Sequence, residues 1–127
     1  MTEHTHGKDV LRPLALEGRE LRKMIPDVYT GFGELNRAAM APGALDAKTK
    51  ELLALVMGIS HRCDGCIATH ARGAASAGAT REEVAEAIGV TFLMNGGPGT
   101  VYGPRAYDAF CEYLADLEAK AEGSTGQ

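Results

Sequence analysis

The chain reads as an all-α domain of about six helices. Apolar residues recur at three- and four-residue spacing over most of its length. No run alternates apolar and β-branched residues as a half-buried strand does, and alanine is abundant. A length of 127 residues allows one domain with one sizeable core. The whole chain, 1–127, is therefore read as a single domain, with about 1–8 and 121–127 disordered or frayed.

The elements follow in order. Val10, Leu11, Leu14, Leu21 and Met24 set a helix over 9–24, against the weakening effect of Pro13 and Gly18. Pro26 suits the first turn of a second helix, which carries Val28, Tyr29, Phe32, Leu35 and Ala39 on one stripe. The segment APGALD is a connection, and Asp46 can cap a third helix running to about His61. Leu52, Leu55, Val56 and Ile59 fall at helical spacing along it. A fourth helix begins near Cys63 and Cys66 and ends at Gly78. Thr80 and Glu83 form a capping box for the fifth, whose buried face is Val84, Ala87, Ile88 and Thr91. MNGGPG stops it. The last helix carries Tyr102, Ala106, Phe110, Tyr113 and Leu117, with Gly103-Pro104 as its start or a kink.

Composition narrows the function. Hydrophobic residues make up 45% and charged residues 24%, as in ordinary globular proteins. A net charge of -4 argues against a nucleic-acid partner. No apolar run approaches the roughly 18 residues of a membrane span. The stretch MTEHTHGKDV lacks the apolar core of a secretory signal, so the expected compartment is the cytoplasm. Three cysteines do not make a secreted disulfide scaffold, and in a reducing compartment a close C-x-x-C points to catalysis or metal binding. Cys111, alone in a late apolar stretch, is read as a buried core thiol.

Reactive side chains concentrate in ELLALVMGISHRCDGCIATH, from Glu51 to His70. Cys63 and Cys66 form the C-x-x-C, and a helix start brings such sulfurs within bridging distance. Unpaired N–H groups and the helix dipole then stabilise a thiolate. Cys66 and His70 are four residues apart and share a helix face. Glu51 sits about 15 Å of helix before the turn and His70 about 10 Å after it, so an antiparallel hairpin lets them meet directly or through one water. A carboxylate on the side of Leu55 and Ile59 needs such a partner. An acid, an imidazole and two thiols make a proton relay onto a redox-active pair. His61 is read as a helix end or pocket rim. The same side chains could instead ligate zinc, although only one ligand knuckle is present.

The pattern E-x11-C-x-x-C-x3-H, carried by Glu51, Cys63, Cys66 and His70, resembles the signature of the AhpD-like (alkylhydroperoxidase) group of the carboxymuconolactone decarboxylase family. KTKELLAL, CIATH, AGATREEVAEAI and MNGGPGTVYGP are similar to the family as well, so the likeness spans roughly residues 20–115. The resemblance implies an all-helical fold assembled as homo-trimers or hexamers, with no cofactor. It implies a redox disulfide between the two cysteines, activated by the acid and the histidine. The substrate would be a peroxide. A dithiol donor, a lipoyl protein or a thioredoxin-like one, would act as reductant, and a peroxiredoxin partner is left open. The best-known members carry a histidine just before the second cysteine, where this chain has Gly65. Decarboxylases of the family act on a lactone without a cysteine pair. Lactone or other carbon-acid chemistry is the alternative, beside a metal-binding or non-catalytic oligomeric protein.

Overall fold

The computed structural model describes residues 4–125 and contains six helices and, among the described residues, no strand. They are α1 (Lys8–Met24), α2 (Pro26–Met40), α3 (Ala47–Ser60), α4 (Asp64–Ser76), α5 (Arg81–Asn95) and α6 (Gly97–Thr125). Local chemistry sets most of the boundaries. The Asp46 carboxylate accepts the Thr49 N–H at 2.8 Å and starts α3. Thr80 and Glu83 make the expected capping box at α5, with reciprocal bonds of 3.1 and 2.9 Å. Gly96, at φ 65°, turns the chain from α5 into α6. Gly103-Pro104, read as a start or a kink, is not the start: α6 begins at Gly97 and runs through Pro104.

The core lies where α3, α4, α5 and α6 meet. Leu55 and Ile59 of α3, Ile67 and Ala71 of α4, Val84 and Ile88 of α5, and Phe110 and Tyr113 of α6 form one buried cluster. Small residues bring the helices close. A Cβ placed at Gly58 of α3 would stand 3.2 Å from the Cys66 Cβ and 3.3 Å from the Ile67 nitrogen of α4. The hairpin that carries the cysteines is thus packed backbone to backbone at its closed end.

Residues 5–8 and 121–125 differ from the sequence reading. Residues 5–8, expected to be disordered, run along α6. Thr5 and Asp9 exchange hydrogen bonds of 2.9 and 3.2 Å, the Lys8 N–H donates to Glu112, and the Lys8 ammonium pairs with Asp116. Residues 121–125, expected to fray, continue α6. Met1–Glu3 and residues 126–127 lie outside the described residues. Cys111 is only half-buried at the edge of the core, rather than enclosed in it.

The stripe on α2 is present, but no described residue of the chain covers it: Val28, Phe32 and Leu35 are each more than 60% exposed. Neither α1 nor α2 has a buried residue. Lys50 ties the end of α2 to α3 by donating to the carbonyls of Ala39 and Ala41 at 2.9 and 2.6 Å. No helix among the described residues is long and apolar enough to cross a membrane.

Candidate active site

The α3–α4 turn builds the site. Arg62 takes a left-handed φ of 56°, and the Cys63 N–H returns to the Gly58 carbonyl at 3.0 Å. Cys63 is the N-cap of α4, where its sulfur accepts the Cys66 N–H at 3.2 Å. The Cα atoms of Cys63 and Cys66 are 5.2 Å apart and the sulfurs are joined as a disulfide. Cys66 is exposed, whereas Cys63 is half-buried. Its capping role turns Cys63 inward.

His70 follows one turn after Cys66. Its Nδ1 lies 2.9 Å from Glu51 Oε2, with the two side chains 21% and 19% exposed. The contact across the hairpin is therefore direct, with no need for a bridging water. A carboxylate only accepts, so Nδ1 carries the proton and Nε2 is left as the second ring nitrogen. Gly73, one turn beyond His70, makes room for the acid: a Cβ there would fall on the Glu51 carboxyl group.

Above the cysteines lies a cleft of about 390 Å³. Cys63, Gly65, Cys66, Thr69 and His70 form its floor, Leu14 of α1 one wall, and Phe32, Gly33 and Asn36 of α2 the other. Beside it, one guanidinium nitrogen of Arg105 reaches both oxygens of Asp64, at 3.2 and 3.3 Å, while the guanidinium lies over the Tyr102 ring at 4.6 Å. His61 caps the end of α3, exposed to solvent, and does not line the cleft. Among the described residues no three of histidine, cysteine, aspartate and glutamate gather around a common metal position.

The structure thus brings together all four residues read from the sequence: Glu51, Cys63, Cys66 and His70. Sequence reasoning missed the walls from α1 and α2, the Arg105–Asp64 pair and Gly73. Only Gly73 left a signal, as a glycine inside a helix one turn from the histidine. The others are long-range contacts.

An all-α hairpin with a cysteine pair at a helix start, backed by a histidine and an acid, places the chain in a known class. It belongs to the carboxymuconolactone decarboxylase family, whose model matches residues 26–109. A family member from Legionella pneumophila has a crystal structure that superimposes with a TM-score of 0.75 at 40% identity, over 86% of this chain and 94% of that one. A Thermotoga maritima member, for which a part in the antioxidative response has been suggested, gives 0.61 at 33% identity, over 75% and 94%. An uncharacterized protein of Cupriavidus necator is 35% identical over 85 residues, covering 67% of this chain and 75% of its own.

Proposed function

We propose that the protein is a thiol-dependent alkylhydroperoxidase or disulfide reductase of the AhpD-like kind. One observation carries the reading: a bridged cysteine pair on the floor of a cleft, one turn from a histidine that is hydrogen-bonded to a partly buried acid at 2.9 Å. The cysteines in the cleft favour thiol chemistry over lactone decarboxylation, which has no use for them.

The cycle starts from the dithiol. His70 accepts the Cys66 proton at Nε2 while Glu51 holds the ring and stabilises the imidazolium. The Cys66 thiolate attacks the terminal oxygen of a hydroperoxide. The O–O bond breaks, the alkoxide takes the proton from His70 and leaves as alcohol, and Cys66 becomes a sulfenic acid. Cys63, whose thiolate the Cys66 N–H stabilises, attacks that sulfur. Hydroxide departs with a proton as water and the disulfide forms. A dithiol donor then attacks the exposed Cys66 sulfur and expels the Cys63 thiolate. Its second thiol closes the donor disulfide and returns the pair to the reduced state. The sum is hydroperoxide plus dithiol giving alcohol, water and disulfide. This exchange needs a reducing compartment, in keeping with a cytoplasmic protein.

The uncovered stripe of α2, together with exposed Met57, Val90, Leu93 and Met94 on α3 and α5, supports assembly as a homo-trimer or hexamer. Light scattering at micromolar concentration should give a mass of three or six chains. The functional test is turnover of an alkyl hydroperoxide with a lipoyl or thioredoxin-like dithiol donor. Wild type should turn over, and Cys63→Ser and Cys66→Ser should not. Equal rates in all three proteins would remove the proposal.

A further inference from the structure

Asp64 stands between the two cysteines and is the first residue of α4. Its position creates a conflict. A helix N-terminus stabilises any nearby anion, and here two anions compete for it: the Asp64 carboxylate and the Cys63 thiolate at the N-cap. They are adjacent in the chain, so each charge disfavours the other. The structure resolves the conflict from a different helix. Arg105, on α6, holds both Asp64 oxygens at 3.2 and 3.3 Å and is itself steadied over Tyr102. The cation offsets the carboxylate of the residue that follows Cys63. The side chains of Arg105 and Asp64 are 34% and 44% exposed, so solvent screens the effect without abolishing it.

Resting on the thiol cycle above, we propose that Arg105 is a positioning residue that sets the acidity of the Cys63 thiol by neutralising Asp64. The other titratable groups nearby are Glu51 on α3, His61 and Arg62 in the turn, His70 on α4, and Tyr102 on α6, whose ring lies under the guanidinium. The walls from α1 and α2 offer Leu14, Phe32, Gly33 and Asn36, none of which titrates. Arg105 is thus the cation tied directly to the residue between the cysteines. In the reductive half of the cycle the Cys63 thiolate is the leaving group, and a more acidic thiol leaves faster. The pair would therefore tune both the release of Cys63 and the oxidising strength of the disulfide.

The experiment separates charge from structure by sign. The Cys63 thiol is titrated by iodoacetamide alkylation against pH, read at the Cys63 peptide by mass spectrometry, in the Cys66→Ser background. Arg105→Gln should raise the midpoint by about half a pH unit, roughly threefold in thiolate fraction below it. Asp64→Asn should lower it by a similar amount, and the double variant should return close to the parent. Arg105→Lys, which keeps the charge, should stay near the parent too. In the protein with both cysteines, reduction by dithiothreitol should slow in Arg105→Gln and quicken in Asp64→Asn.

A merely structural clamp predicts something else, because both single variants break it and would move the midpoint the same way. Shifts of the same sign, or none, overturn the proposal. Should Arg105→Gln fail to fold, the double variant against Asp64→Asn isolates the Arg105 charge: the double variant should have the higher midpoint, and an equal or lower one is the refuting result. These readouts involve no peroxide. Opposite shifts in a protein without peroxide turnover would leave this inference standing and remove the peroxidase reading; turnover without the shifts would do the reverse.

Discussion

Gly73→Ala should separate stability from activity. In the interior of α4, alanine is favoured over glycine by about 1 kcal/mol. The three atoms nearest to the new methyl group all belong to the Glu51 carboxyl, whose Oε1 would lie 2.6 Å from the Cβ. Ordinary contact needs about 3.5 Å, so the carboxyl must move by roughly 1 Å. That motion is cheap, since the group is the end of a flexible side chain, but it disrupts the 2.9 Å bond to His70. A displacement of about 1 Å near reacting groups can cost up to roughly 10²-fold in rate. The expected protein is folded, within about 1 kcal/mol of wild type because the helix gain and the lost hydrogen bond are of similar size, and about 10- to 100-fold slower in peroxide turnover. The assay pairs a thermal melt with turnover under a saturating dithiol donor. Glu51→Gln supplies the reference: combining it with Gly73→Ala should cost little beyond either change alone, because both act through one contact. Full activity in a folded Gly73→Ala protein would show that the Glu51–His70 bond does not matter to the chemistry.

Three further outcomes follow from the same geometry. His70→Gln should keep the fold and slow thiolate alkylation by about 10²–10⁴-fold, with Glu51→Gln acting in the same direction. Their double variant should fall well short of the product of the two losses; unchanged rates in both single variants would break the relay. Thiol counting after mild oxidation should show two thiols lost in wild type and none in Cys63→Ser, with Cys111 spectating beside Arg81 and Tyr107. A disulfide to Cys111 would contradict this. The Glu83 carboxyl is held below its usual range by its bond to Lys48 and then by the Thr80 N–H. A depressed acid contributes stability that is complete above the unfolded value of about 4.3 and is lost as pH falls through the folded value. Melting temperature should therefore drop on acidification through that window, and less steeply in Glu83→Gln. Parallel curves would count against the contribution.

The parts of this fold legible in the sequence are those fixed within one turn of chain. Asp46 caps α3 because its carboxylate meets an N–H three residues on, and Thr80 with Glu83 does the same for α5. The C-x-x-C-x3-H spacing is equally local. Glu51 was within reach only because the hairpin is short, so counting residues back from the turn located its level beside His70. What the pattern could not give is which apolar stripe finds a cover. Val28, Phe32 and Leu35 have the spacing of a buried face and yet stay exposed in the single chain. Thr5 and Asp9 order residues 5–9 by a reciprocal capping, where disorder was expected through residue 8. Arg105 meets Asp64 across 41 positions, a separation at which periodicity carries no information.

Gly65 shows how such long-range contacts bear on the chemistry. The AhpD-like resemblance places a histidine there in its best-known members. In this chain a Cβ at Gly65 would stand 3.2 Å from Leu14 Cδ2, so the nearest neighbour of that position is an apolar side chain of α1. The cleft thereby has an apolar wall where a proton donor is expected. His61, the other imidazole near the cysteines, points to solvent at the end of α3 and does not replace it. Proton transfer in the proposed cycle then rests on His70 alone, held by Glu51 alone, in the space that Gly73 leaves open. A site with a second imidazole would tolerate a loosened Glu51. This one has no such reserve, and that is why one methyl group at Gly73 is expected to cost activity without costing the fold.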